Sequence, residues 1–211
     1  MEKINQAATY TRRSVLKTGI AVGTATALNL TVLNNAQAAG SDKKHDLAIL
    51  NGALDLENQA IWAYGVAADK LTDTAVGNTI KALALRNQAD HIAHRDIFIT
   101  TIKSLGGAPS EARDSYDLSA YIKAGEGGLD SDANIAKLAL ALEVDAVLAY
   151  ASAGGKLRTP GLVAAALTIL PDESAHAAAI RAVFGTLDAT IHTVPSAQLS
   201  AATRSQWILA V

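Results

Sequence analysis

Two segments of the chain repeat each other, Leu56-Glu57-Asn58-Gln59-Ala60-Ile61-Trp62-Ala63-Tyr64 and Leu142-Glu143-Val144-Asp145-Ala146-Val147-Leu148-Ala149-Tyr150, and each sets one glutamate inside an apolar helical stripe. A carboxylate on such a stripe faces the protein interior, where an unpaired charge costs several kcal/mol, so the fold must bring it a partner. Two further segments follow the glutamates at similar intervals and supply one: Asp90-His91-Ile92-Ala93-His94 and Asp172-Glu173-Ser174-Ala175-His176. Residues three apart on a helix share a face within ~5–6 Å, which makes His91 with His94, and Glu173 with His176, candidate ligand pairs. This layout predicts a metal site inside a four-helix bundle.

Periodicity places the helices. From Asp42 to Leu71 apolar residues recur in steps of three and four, and Glu57 takes the one position of that series that is not apolar. A second helix is predicted from Thr74 to Leu105, with His91 and His94 on its apolar face and a stop at Gly106-Gly107-Ala108-Pro109. Residues 108–130 are rich in Gly, Ser, Asp and Pro and read as a long crossover, with about one helical turn near Leu118 to Ile122. A third helix, about Ser131 to Ala153, closes at Gly154-Gly155, and a fourth, about Pro160 to Phe184, stops at Gly185. Pro171 inside the fourth removes a hydrogen bond and predicts a kink or bulge just before Glu173. The fold class expected is all-α: two helical hairpins joined by a long crossover, over residues 39–185, with a tail, residues 186–211, packed along the bundle through Trp207-Ile208-Leu209.

The first residues read as an export signal. Adjacent Arg12 and Arg13, the weakly apolar run from Thr18 to Leu33 and the small-residue pattern Ala36-Gln37-Ala38 stand in the order such signals require, and residues 1–38 resemble a twin-arginine signal with Val15 where that motif more often has Phe. The run is too short and too interrupted, by Asn29 among others, for the ~20 apolar residues of a spanning helix, so no membrane association is expected after cleavage. Removing Lys3, Arg12, Arg13 and Lys17 from 18 basic residues and Glu2 from 20 acidic ones leaves 14 against 19, a formal charge of −5. Nucleic acid is not a partner that such a domain favours. A periplasmic or otherwise exported protein with no Cys has neither disulfides nor thiolate ligands, which leaves carboxylate and imidazole to bind metal.

A count narrows the ligands. Outside the crossover, which holds Glu111 and Glu126, the exported part contains only Glu57, Glu143 and Glu173, each on a core-facing stripe. Three of the five His residues, His91, His94 and His176, take the matching places, whereas His45 opens the first helix and His192 lies in the tail. Gln88 and Asp90 are fallback ligands one turn earlier. Tyr64 and Tyr150 each follow a candidate glutamate by two turns, roughly 10.5 Å along the same face at ~1.5 Å per residue, and read as supporting or core residues. Trp62 is expected on the flank of the first helix, covering the hairpin.

With these residues in place the chain resembles the ferritin-like superfamily over about residues 43 to 185. In that superfamily two helices each give one Glu, and the other two each give Glu-x-x-His, to a pair of iron or manganese ions. The stretches from Ile169 to Ala178 and from Ile180 to Gly185 are most similar to an exported branch that includes desiccation-related proteins. The resemblance implies Glu57, His91, His94, Glu143, Glu173 and His176 as metal ligands. One position departs from the pattern: His91 stands where the first Glu-x-x-His has its bridging glutamate. A neutral imidazole cannot bridge two ions through one donor atom, so Glu173 remains as the protein bridge. Either a nitrogen-richer dinuclear site with a solvent bridge is expected, or one tightly held ion with a weak second site.

Two functions follow. One is an oxidoreductase-type, ferroxidase-like site in which two iron or manganese ions react with oxygen or peroxide. The other is a non-catalytic, stress-protective or partner-binding bundle that keeps the fold. A second copy of the chain is a further candidate partner, although no assembly signal is legible.

Overall fold

A computed structural model describes residues 40–211. The export signal expected at residues 1–38 lies outside the described residues. Six helices and no strand occur among the described residues: α1 (Gly40–Lys70), α2 (Ala75–Ser104), α3 (Ser119–Lys123), α4 (Asp132–Gly154), α5 (Pro160–Leu187) and α6 (Arg204–Trp207). No helix among them is long and apolar enough to cross a membrane.

Local chemistry sets the boundaries. Thr74 and Ser131 cap α2 and α4, their hydroxyls accepting from the N–H groups of Gly77 and Asn134. At the end of α2, Gly106 adopts φ +72°, its N–H donates to the Lys103 carbonyl and the Gly107 N–H to that of Ile102, which satisfies two carbonyls the helix leaves open. Pro160 occupies the first turn of α5, where its missing N–H costs nothing.

One sequence expectation is corrected at the end of α5. Gly185 does not stop it; the helix runs on to Leu187 and ends at Asp188, whose N–H donates to the Phe184 carbonyl. A lone glycine costs a helix only about 1 kcal/mol, and buried Phe184 one residue earlier holds that turn on the core. The helix also stays α-helical through Pro171, with no π-turn before Glu173.

The helix pairs are antiparallel, and the crossover carries the chain back along the bundle to the end where α2 began, so that α4 runs parallel to α2 and against α1. Leu50 and Leu54 of α1 therefore share an apolar cluster with Phe98 and Ile102 from the end of α2, Tyr150 from the end of α4 and Leu162 and Ile169 from the start of α5. A second cluster at the opposite end joins Ile80, Ala136, Leu140, Val144, Ile180, Phe184 and Trp207. Between these two plugs lies a buried layer of charge.

The crossover is pressed onto the bundle. Gly127 sits at φ +115° with its Cα so near α4 that a Cβ would fall 2.2 Å from the Leu138 nitrogen. Leu118 packs with Ala63 and Leu138, and Trp62 meets Tyr116 of the crossover at 5.8 Å between rings. Trp62 thus lies under the crossover rather than over the α1–α2 hairpin. The tail is held through Arg181, buried on α5, which donates to the carbonyls of His192 at 2.7 Å and Trp207 at 2.6 Å. Arg204 joins it to Glu126 of the crossover and Asp145 of α4.

Asp46 ties the start of α1 to the α4–α5 turn, accepting from the backbone N–H groups of Arg158 at 2.9 Å and Thr159 at 3.0 Å while fully buried. Asp46→Ala orphans both donors and is expected to cost about 3 kcal/mol, read as a lower urea midpoint at unchanged slope.

Candidate metal centre

Each long helix sends polar side chains into the middle layer because the stripe that carries Leu and Ile at its two ends carries Glu or His at its centre. Glu57 (α1), His91 and His94 (α2), Glu143 (α4) and Glu173 and His176 (α5) are all buried there, Glu173 at 0 % exposure. The structure brings all six sequence-selected residues together, in two overlapping quartets: Glu57, His91, His94 and Glu173, and His91, Glu143, Glu173 and His176. Within each quartet one donor atom per residue lies within 4.8 Å of the others.

His91 and Glu173 belong to both. His91 turns Nδ1 to Glu57 Oε2 at 2.8 Å and Nε2 to Glu143 Oε1 at 3.2 Å, one nitrogen toward each quartet. Glu173 lies 3.1 Å through Oε1 from His94 Nδ1 and 3.8 Å through Oε2 from His176 Nδ1. Neither contact is a hydrogen bond, the first for want of alignment and the second for length. Both Glu173 oxygens, Glu143 Oε2 and the Nδ1 atoms of His94 and His176 are buried without a hydrogen-bond partner. Such atoms are rare in folded proteins, and their convergence fits cations better than a closed hydrogen-bond network.

Electrostatics point the same way. Burial by itself pulls the His91 imidazole down, but the Glu143, Glu57 and Glu173 carboxylates override it and raise it to about 11. His176 is lifted to about 10 against burial by Glu143 and Glu173, and His94 is raised against burial by Glu173 and Glu57. The outer glutamates diverge. Burial and the neighbouring Glu173 charge raise Glu57 despite its bond to His91, whereas for Glu143 the imidazoles of His91 and His176 overcome burial and hold it far below the carboxylate range. The layer is thus an array of carboxylates neutralised by protons that cations can replace.

Surrounding groups orient four of the six. Tyr64 donates to Glu143 Oε1 and Tyr150 to Glu57 Oε1, each tyrosine serving the glutamate of the other helix. Periodicity along one helix could not show this, because it follows from α1 and α4 running antiparallel: two turns beyond one glutamate is level with the other. Burial raises both phenols well above the ordinary tyrosine range, so they remain donors. Asn87 donates to the Tyr64 hydroxyl at 3.0 Å.

Asp90 stands 3.4 Å from His176 Nε2 and Asp172 stands 3.5 Å from His94 Nε2, so these two imidazoles, unlike His91, each have a carboxylate behind them on the facing helix. Sequence reasoning took Asp90 only as a fallback ligand and missed Asp172; the shared Asp just before His91 and Glu173 was the available signal. Asp90 belongs to neither quartet, being also paired with Arg86 at 2.7 Å. Gln88, the other fallback, donates to the Ile61 carbonyl at 2.8 Å and likewise lies outside both.

Four long helices around a buried carboxylate and imidazole layer define a ferritin-like bundle. The chain belongs to the ferritin-like domain family, whose family model matches residues 45–186. It is also similar in structure to a conserved hypothetical protein, rv2844, from Mycobacterium tuberculosis, with a TM-score of 0.56 at 23 % identity, covering 69 % of this chain and 99 % of that one. This likeness shows the fold alone. No curated protein matches the chain.

Proposed function

We propose that this is an exported ferritin-like metalloprotein, of the desiccation-related kind, that holds two iron or manganese ions among Glu57, His91, His94, Glu143, Glu173 and His176 and reacts there with oxygen or peroxide. The observation that carries the reading is the set of buried oxygen and nitrogen atoms, from Glu173, Glu143, His94 and His176, that converge without hydrogen-bond partners. Export and the desiccation-related branch rest on the sequence alone, through Arg12-Arg13 and the α5 segment around Glu173. Iron or manganese bound by such donors supplies one-electron chemistry toward an oxidant.

The chain's own residues set up that chemistry. Glu173, with Oε1 on the His94 side and Oε2 on the His176 side, would be shared by both ions. Tyr64 and Tyr150 fix Glu143 and Glu57 by donating to one oxygen of each, leaving the second to face the centre. Asp90 and Asp172 hold the His176 and His94 rings with Nε2 outward and Nδ1 inward, the task such outer carboxylates perform for metal-binding histidines.

Element analysis of the mature protein is expected to give two ions per chain. Ferrous iron added in air to the metal-free form is expected to produce near-ultraviolet absorbance faster than the buffer control. No rate above that control would retire the reaction with oxygen and leave a metal-holding or stress-protective bundle. No bound metal at all would retire the proposal.

A further inference from the structure

Beside the centre, on the α1 and α4 side and roofed by the crossover, lies a cavity of about 450 Å³. Helices that pack well leave few voids larger than a water molecule, and this one falls in the ~300–1,000 Å³ range of small-molecule sites. Its walls are almost wholly apolar, contributed by residues such as Leu138, Leu142 and Trp62, with Tyr116 and Tyr121 from the crossover. Its inner end is formed by His91 and Glu143, and its mouth is marked by Leu56 and Ile122, which are 38 % and 46 % exposed. The crossover is clamped over it through Gly127 against α4, so the roof is part of the fold.

We infer that this cavity is a binding site for an uncharged, ring-containing organic molecule, whose inner end lies against His91 and Glu143. Water is a poor occupant, since each buried water needs two to four polar partners and the walls offer almost none. An anion gains no solvating groups along the walls and meets exposed Asp117 at the mouth, while the charges of Glu143 inside and of Asp145 are already engaged, by His91 at 3.2 Å and Arg204 at 2.5 Å. A cation gains no solvating groups along the walls. Aromatic rings fit best because three aromatic side chains, Trp62, Tyr116 and Tyr121, line the walls and rings pack favourably on one another. The inference goes beyond the proposed metal chemistry by giving the protein an organic ligand, and of the residues lining the cavity only His91 and Glu143 are proposed metal ligands.

The test uses N-phenyl-1-naphthylamine, an uncharged probe that fluoresces in apolar surroundings, with the mature protein in metal-free and metal-loaded form. Saturable binding of one probe per chain is expected. Ala63→Phe and Ala149→Phe fill the cavity from α1 and α4 at positions six residues from Glu57 and Glu143, off the face that carries them, and each is expected to weaken binding at least tenfold at unchanged metal content. Glu173→Ala is expected to lose metal yet keep the probe, which separates failure of this site from failure of the metal reading. The anionic 8-anilinonaphthalene-1-sulfonate is expected to bind at least tenfold more weakly. No saturable signal with the unaltered protein overturns the site, as does unchanged binding in whichever filled variants fold by circular dichroism. Equal binding of the sulfonate overturns the uncharged class.

Discussion

Glu173→Ala is expected to lower the metal content from two ions per chain to none, whereas Glu57→Ala and Glu143→Ala are each expected to remove one. The asymmetry follows from membership: Glu173 belongs to both quartets, while Glu57 and Glu143 belong to one each. His91 is also shared, but a neutral imidazole keeps a proton on one nitrogen and can serve only one side. Without Glu173 one side therefore retains a single carboxylate and a single imidazole, too few donors for a divalent ion to leave water. The other retains one carboxylate and two imidazoles, with net charge uncompensated in a buried layer.

Stability separates this account from simple damage to the fold. Glu173 faces the buried imidazoles of His91, His94 and His176, so its removal from the metal-free protein takes a partner from those charges and is expected to lower the unfolding temperature without abolishing folding. In the unaltered protein, manganous ion at a thousand times its dissociation constant stabilises the fold by about 4 kcal/mol, and in Glu173→Ala that increment is expected to vanish. Element analysis after desalting, paired with melting curves with and without manganous ion, reads both effects. A Glu173→Ala protein that still holds two ions would show that Glu173 is not the bridge.

The ease with which the polar layer can be read from the sequence has a physical origin. Glutamate is scarce in the helices, and an apolar stripe with a charge at its centre is readable by period alone, so Glu57, Glu143 and Glu173 stand out and the three-residue step brings in His94 and His176. The all-α class and the two hairpins follow from the same periodicity and from the glycine stops after α2 and α4. What could not be read depends on which helix lies beside which. Tyr64 and Tyr150 were visible as neighbours of their own glutamates, but each donates to the other's. Trp62 was assigned to the wrong neighbour for the same reason, since a flank residue is silent on whether a helix or a crossover covers it. The cavity was illegible because it depends on how a segment without periodicity, residues 108–130, closes over two helices. Asp46 shows no pattern at all in sequence, because its partners are backbone N–H groups more than a hundred residues away.

The second large effect is on pH. Apparent metal affinity is expected to rise about 100-fold per pH unit between about pH 7 and 9, because loading displaces at least two protons in that window. In the metal-free protein His91 is raised to about 11 and His176 to about 10, the surrounding carboxylates outweighing burial in both. Both values lie above 6.5, the ordinary value for an unfolded chain, so these protons stabilise the metal-free fold fully below about pH 6.5, and the contribution is lost as pH rises through 10 to 11. Metal needs the same nitrogen lone pairs and therefore runs in the opposite sense: cations compete poorly where the imidazoles are charged and well where they are not. Heating scans should show the two trends crossing, with the metal-free form losing stability toward pH 10 while the increment from metal grows. Calorimetric titration with manganous ion in buffers of different ionisation heat counts the protons directly. A count of zero at pH 7 would mean that the imidazoles are already neutral before metal arrives, and that the carboxylates of the buried layer are balanced in some other way.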